Sequence, residues 1–267
     1  MINLTVARES WPIRGTFTIS RGSKTAADVV VAQIEKEGAV GRGECVPYPR
    51  YGETVDSVAT QIESLKDRIG AGLTRQDLQT ALPAGAARNA IDCALWDLEA
   101  KLSGMRVWQL AGLPPPGPVT TAYTLSLGSP EQMAGQAKAA SGRALLKLKL
   151  GGEGDLARVA AVRTAAPDAR LIADANEAWS LQHFQSFGPE LVRLGVELVE
   201  QPLPDKQDDA LNTIDFPIPL CADESCHDTG SLGNVEGRYQ FVNVKLDKTG
   251  GLTEALRLID ISRITGL

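Results

Sequence analysis

The sequence predicts an α/β protein in two parts: an α+β capping domain over residues 1–113 and a β/α-barrel domain over residues 114–267. Three observations lead there. Strand-like apolar runs near the N-terminus give way to helical spacing after about fifty residues. Gly112-Leu113-Pro114-Pro115-Pro116-Gly117-Pro118 then breaks the chain with the strongest turn chemistry it contains. Beyond that break, short apolar runs alternate with helical patterns in six successive units, the pattern of a parallel sheet with right-handed crossovers.

In the first part, Leu4–Arg8, Trp11–Ser20, Val29–Glu35 and Gly43–Val46 read as antiparallel strands, with Lys36–Arg42 as a hairpin turn supplied by Gly38 and Gly41. Val58, Ile62, Leu65 and Ile69 mark a helix that Gly70 ends. Thr74 and Asp77 resemble a capping box for a second helix. A third runs from Gly85 to Ser103, with Ala90, Ile91, Ala94, Leu95 and Leu98 on one face and Gly104 at its end.

In the second part the strands fall at Thr120–Leu127, Ala144–Leu150, Arg170–Ala173, Val196–Val199, Pro219–Ala222 and Phe241–Lys245. Helical patterns occupy Pro130–Ala140, Asp155–Ala165, Leu181–Leu194 and Leu252–Ile264, with weaker stretches near Asp205–Asn212 and Asp228–Gly237. Short strands and the lack of a dinucleotide fingerprint favour closure into a barrel. Six units leave two strands missing from an eight-stranded barrel.

Composition excludes several functions. With 43% hydrophobic and 22% charged residues the chain can bury a core, unlike a disordered one. A net charge of −6 leaves no basic face for general nucleic-acid binding. No apolar run reaches the roughly 18–20 residues of a membrane helix, and Met1–Thr5 has no signal-peptide character. Four irregularly spaced cysteines suit neither a disulfide scaffold nor a zinc site, and two histidines argue against histidine-rich metal chemistry. The expectation is a soluble cytoplasmic enzyme, with homo-oligomerisation open.

Charged residues collect at the strand ends. Lys147 and Lys149 share one face of Leu146-Lys147-Leu148-Lys149-Leu150, so the leucines meet outer helices while the lysines point inward. Steps of 25, 26, 23 and 22 residues lead from Lys149 through Asp174, Glu200 and Asp223 to Lys245. Each step is about one βα unit, which places all five on the rim where barrel active sites are built. Three carboxylates without histidine or thiolate neighbours make a hard oxygen site suited to Mg²⁺. Lysines beside such an ion are expected to have lowered pKa values, so that one acts as a base. That combination suits removal of a proton next to a carboxylate, and two bases on opposite faces make a racemase or epimerase.

Other readings stand beside this one. A strand-end lysine also serves a Schiff-base aldolase. Gly151-Gly152-Glu153-Gly154 resembles a phosphate cradle but lacks the lysine of a P-loop. Cys93 reads as a small core residue, and His183 and His227 as surface residues without a role.

Lys147-Leu148-Lys149, Asp174-Ala175-Asn176, Val199-Glu200-Gln201-Pro202, Ala222-Asp223-Glu224-Ser225 and Val244-Lys245-Leu246-Asp247-Lys248-Thr249-Gly250-Gly251 together resemble the muconate-lactonizing subgroup of the enolase superfamily. The likeness extends through Gly43–Glu53 and Leu82–Ala90, and so covers nearly the whole chain. It implies a capping domain on a (β/α)7β-type barrel and, within the subgroup, an epimerase of alanyl-glutamate dipeptides in cell-wall peptide recycling. N-acylamino acid racemisation, o-succinylbenzoate synthesis and cycloisomerisation are the sister activities, and an inactive relative is the non-enzymatic alternative. The resemblance makes Asp174, Glu200 and Asp223 the Mg²⁺ ligands and Lys149 and Lys245 the acid/base pair. Lys147, Lys24 and Thr124 become substrate-binding candidates, with Asn176 and Glu224 orienting the groups around them. Lys24 stands where a close relative carries arginine, and is expected to meet the substrate's terminal carboxylate. Family members continue through a seventh and eighth strand, the latter with an Asp-x-Asp segment for the dipeptide amino group, and these are expected to be missing here.

Overall fold

The computed structural model describes residues 1–267. Its N-terminal layer is a three-stranded antiparallel sheet of β1 (Ile2–Ile19), β2 (Gly22–Lys36) and β3 (Ala39–Cys45), in that order. The two strand candidates before residue 20 are one strand. Its register shifts between Pro12 and Phe17, with Gly15 at φ 81°. That irregularity carries the strand past a proline that cannot donate to the ladder. The hairpin turn is also shorter than expected. Only Glu37 and Gly38 separate β2 from β3, both at positive φ, as a two-residue turn requires.

Gly41 and Gly43 therefore lie inside β3, and packing explains them. A Cβ on Gly43 would stand 1.9 Å from the Ala90 carbonyl oxygen, and one on Gly41 would stand 2.1 Å from that of Ala94. Both carbonyls belong to α3 (Ala86–Ser103), which lies across the sheet behind α1 (Val55–Glu63) and α2 (Arg75–Ala81) in the chain. Thr74 and Asp77 form the expected capping box, and Gly104 ends α3 in the left-handed conformation. Val30, Ile34, Ile62, Leu78 and Ile91 fill the core between sheet and helices.

The second layer is a barrel-like parallel sheet of β4 (Tyr123–Leu125), β5 (Leu145–Lys149), β6 (Arg170–Asp174), β7 (Val196–Glu200), β8 (Leu220–Ala222) and β9 (Phe241–Val242). Spatial order follows chain order, leaving β4 and β9 as edges. Its helices are α4 (Pro130–Ala139), α5 (Asp155–Ala165), α6 (Leu181–Arg193) and α7 (Leu252–Thr265). The weakly patterned stretches form only short pieces, Asp208–Asn212, Thr229–Ser231 and Leu232–Val235. Leu146 and Leu148 are buried beneath the helices with Leu171, Val199 and Leu220, as the alternation in β5 requires.

Strand ends differ from expectation where it matters. Asp174 and Glu200 are the last residues of β6 and β7, inside the ladder. By contrast β9 has two residues, so Lys245 lies three positions beyond it. The β1–β2 hairpin reaches over the sheet's carboxyl rim, where the Leu127 N–H donates to the Thr18 carbonyl at 3.0 Å.

Candidate active site at the carboxyl rim of the parallel sheet

Three carboxylates occupy consecutive strand ends, and all are buried: Asp174, Glu200 and Asp223 are 0%, 3% and 1% exposed. Register puts them there, because Lys149 pairs with Asp174 and Asp174 pairs with Glu200, while Glu200 pairs with Cys221, two residues before Asp223. Buried carboxylates need compensation, and lysines provide it. Lys147 Nζ lies 2.9 Å from Asp174 Oδ2 and 2.5 Å from Glu200 Oε2. Lys149 Nζ donates to Asp174 Oδ2 at 2.5 Å. At the other end of the row, Lys245 Nζ donates to Asp223 Oδ2.

The electrostatics follow from this pairing. Burial alone would raise the pKa of Asp174, but Lys147 and Lys149 outweigh it and hold the carboxyl below its usual range. Asp223 is likewise lowered, burial being overcome by Lys248 and Lys245. Burial and the negative charge of Asp174 push Glu200 up despite Lys147. Burial favours the neutral amine, but Asp174 and Glu200 raise Lys147, and Asp223 raises Lys245. Their nearest partners in this arrangement are the carboxylates themselves, which favour the charged amine.

No three histidine, cysteine, aspartate or glutamate side chains converge closely enough to hold an ion in this arrangement. The donor set nevertheless fits a hard cation. Three like charges face one rim, and the Lys147 ammonium bridges two of them as a stand-in for positive charge.

Other expected residues take distinct places. The Asn176 N–H donates to Asp174 Oδ1 at 3.0 Å, and its Nδ2 approaches Glu224 Oε1 at 3.4 Å. Asn176 Oδ1 and Glu224 Oε2 are buried without a partner. Thr124 is opposite Lys147 in the β4–β5 ladder. Lys24, on β2, lines a cavity of about 790 Å³ with Phe17, Ile19, Arg50 and Glu53. Only residues of the N-terminal layer line that cavity, so Lys24 stands apart from the strand-end row.

Several residues join the site without having been singled out by the sequence. Lys248 is 4% exposed, and its Nζ donates to the Asp223 carbonyl at 2.5 Å, Asp223 Oδ1 at 2.8 Å, the Cys226 carbonyl at 2.7 Å and the Asn243 carbonyl at 3.0 Å. Asn243 Nδ2 donates to Glu200 Oε1 at 2.8 Å. Fully buried Gln201, at φ 36°, ties β7 to β8, its Oε1 accepting the Asp223 and Ser225 N–H groups at 2.9 and 3.1 Å. Its Nε2 donates to Ser225 Oγ and Tyr239 Oη, which both donate to buried Asp208. Arg21, at the hairpin tip, donates to Glu224 Oε1 at 2.7 Å, to the Asn176 carbonyl at 2.9 Å and to Glu177 Oε2 at 3.0 Å.

The glycine-rich turn after β5 has its amides engaged internally. Asp155 accepts the Gly151 and Gly152 N–H groups, at 3.0 and 2.7 Å, and Trp179 Nε1 at 2.8 Å. A phosphate would find those donors taken.

Comparison with known proteins agrees with this architecture. Residues 1–112 match the mandelate racemase/muconate lactonizing enzyme N-terminal domain, and residues 131–267 match the enolase C-terminal domain-like family. L-Ala-D/L-Glu epimerase of Escherichia coli K12 is 49% identical over 268 residues, spanning all of this chain and 84% of the relative. An Agrobacterium tumefaciens enolase family member with homology to dipeptide epimerases, solved with sodium and L-Ala-L-Glu, superposes with a TM-score of 0.97 at 49% identity. That match covers all of this chain and 82% of the other. Dipeptide epimerase of Enterococcus faecalis, complexed with Mg and L-Leu-L-Tyr, gives a TM-score of 0.92 at 32% identity, covering 99% of this chain and 80% of the other.

Proposed function

The chain belongs to the mandelate racemase/muconate lactonizing enzyme family of the enolase superfamily, and from that membership we propose that it is an Mg²⁺-dependent isomerase that epimerises dipeptides of the L-Ala-D/L-Glu type. The observation that carries the proposal is the row of buried carboxylates, Asp174, Glu200 and Asp223, flanked by Lys149 on one side and Lys245 on the other. The relatives support it through their named activity and bound dipeptides.

Asp174, Glu200 and Asp223 are the residues that would hold Mg²⁺. When bound, the ion supplies positive charge that stabilises a substrate carboxylate as negative charge builds on it. Lys149 and Lys245 then act at the glutamyl α-carbon from opposite ends of the row. One lysine in its neutral form takes the α-proton as the C–H bond breaks, and the electron pair moves into the carboxylate as an enediolate. The other lysine, as an ammonium, returns a proton to the opposite face. Lys147, between two carboxylates, is placed to hold that charge by its own. Asn176 and Glu224 orient the rim, and Thr124 lines it beside Lys147. Although Lys24 lies apart from the row, we assign it to the glutamyl side-chain carboxylate as a point charge, carried on the β1–β2 hairpin that reaches over the rim.

Alanyl-glutamate is a fragment of bacterial wall peptide, and we assign the reaction to its recycling in the cytoplasm. Incubation of the protein with L-Ala-L-Glu, N-acetyl-L-glutamate, o-succinylbenzoate precursors and muconate, with Mg²⁺ or with EDTA, tests the assignment by chiral chromatography. Mg²⁺-dependent appearance of L-Ala-D-Glu is expected, with slower turnover of the rest. Preference for any of the other substrates would reassign the activity within the family.

A further inference from the structure

The two lysines at the ends of the row are held by different means. Lys149 is the last residue of β5, a strand bonded to neighbours on both sides, and its side chain is 10% exposed. Lys245 lies beyond the two-residue edge strand β9, outside any ladder, and its side chain is 45% exposed. Its backbone must therefore be fixed by something other than the sheet.

Lys248 ties the turn that follows to Asp223, Cys226 and Asn243 from within the barrel, and the remaining support comes from the capping layer. Lys245 is the N-cap of a single helical turn, Leu246–Thr249, followed by Gly250 and Gly251. Three polar residues of α3, Arg88, Asn89 and Asp92, hold this turn and the start of α7 behind it. Arg88 Nη2 donates to the Thr249 carbonyl at 2.7 Å, and its Nε donates to the Gly250 carbonyl at 3.1 Å. Asn89 Nδ2 donates to Asp247 Oδ1 at 2.6 Å, and the Asp247 carboxylate also accepts the Val46 N–H at 3.3 Å. Asp92 accepts the Thr253 N–H at 2.9 Å and its hydroxyl at 2.6 Å. The fit is close, since a Cβ on Gly251 would stand 2.4 Å from the Asp92 Cβ, and one on Gly250 would stand 2.4 Å from Arg88 Nε. The turn after Lys149 is held instead from within the barrel, its Gly151 and Gly152 amides being satisfied by Asp155 of α5.

We propose that Arg88, Asn89 and Asp92 of α3, with Asp247, are positioning residues for Lys245 alone, so that the capping layer sustains one of the two proton transfers and the parallel sheet sustains the other. The inference rests on the epimerase reading and adds to it an asymmetry between the two faces of the α-carbon. Loosening the α3 contact then makes a two-sided catalyst one-sided.

The test is α-proton exchange in D₂O, measured separately from L-Ala-L-Glu and L-Ala-D-Glu at saturating Mg²⁺, for Asn89→Ala, Asp247→Ala and the reciprocal pair Asn89→Asp with Asp247→Asn. Lys245→Ala first identifies which epimer depends on Lys245. For that epimer each single variant should lose about 10- to 100-fold, the scale of a roughly ångström misplacement. The other epimer should keep its exchange within about twofold, and the reciprocal pair should restore both by re-forming the hydrogen bond in the opposite sense. A misfolded protein or a lost metal would depress both epimers together, so equal loss, or no loss, overturns the proposal. A second readout needs no activity: reductive methylation followed by mass spectrometry compares Lys245 with Lys149. The single variants should speed modification of Lys245 relative to Lys149, and an unchanged ratio counts against the proposal. If the unaltered protein exchanges neither epimer, the epimerase reading falls while the methylation ratio still decides the positioning claim.

Discussion

At the residue scale, the strand-end row was legible because its members recur once per βα unit: Lys149, Asp174, Glu200, Asp223 and Lys245 keep one architectural phase. Lys248, Gln201 and Asn243 carry no such phase. A lysine three residues after another reads as a solvated charge, and only the fold reveals Lys248 encircled by acceptors from three residues in two segments. Replacing Lys149 or Lys245 by alanine should reduce epimerisation by about 10²- to 10⁴-fold, the usual contribution of a positioned acid or base. Survival of steady-state turnover near its original rate in either variant would remove that residue from the chemistry. Lys24→Ala should lower kcat/KM for L-Ala-L-Glu by about tenfold or more, as expected for a charged hydrogen bond, while sparing a dipeptide without a side-chain carboxylate. An unchanged kcat/KM would separate Lys24 from substrate recognition. Gln201→Ala strips the buried Asp223 and Ser225 N–H groups of their acceptor. It should lower thermal stability by about 1–3 kcal/mol or more and weaken Mg²⁺ binding measured by calorimetry.

At the element scale, the sequence located each parallel strand and the main helices of the capping layer but not their ends: the run through Ile69 breaks into Val55–Glu63 and Lys66–Gly70, and the single turn Val107–Leu110 carries no periodic signal. β1 reads as two strands, Leu4–Arg8 and Trp11–Ser20, with polar Glu9-Ser10 between them, and the register shift further along, between Pro12 and Phe17, has no signature in the pattern. β9 stops at Val242 although the apolar run continues, because Asn243 turns to Glu200 and the turn beyond is drawn to α3. Gly43 reads only as the start of a strand, and its packing need is invisible without α3. Gly43→Ala would drive a methyl into the Ala90 carbonyl. Its thermal midpoint should fall by an amount corresponding to at least about 1–3 kcal/mol of overpacking. A midpoint equal to that of the unaltered protein would contradict the close packing of β3 on α3.

At the scale of the whole molecule, two layers with separate cores meet around one rim. The parallel sheet carries the charged row, and the capping layer supplies Arg21 and the α3 contacts. We propose the division between them in the stretch 113–119, which lacks strand or helix and is exposed throughout. Prolines mark that stretch in the sequence, whereas contacts such as Arg88 to Thr249, 161 residues apart, lie beyond any local pattern. No helix is long and apolar enough to cross a membrane. Mg²⁺ at about a hundred times its dissociation constant should stabilise the fold by about 2.7 kcal/mol, read as a higher thermal midpoint that EDTA reverses. An Mg²⁺-independent midpoint would argue against the carboxylate row as its site. The measurement that bears most directly on the central claim follows the α-proton of L-Ala-L-Glu in D₂O by NMR, with and without Mg²⁺. Deuterium should enter the glutamyl α-position only with the metal, and the L-Ala-D-Glu epimer should appear carrying it. Complete retention of the α-proton in the presence of Mg²⁺ and folded protein would contradict the account.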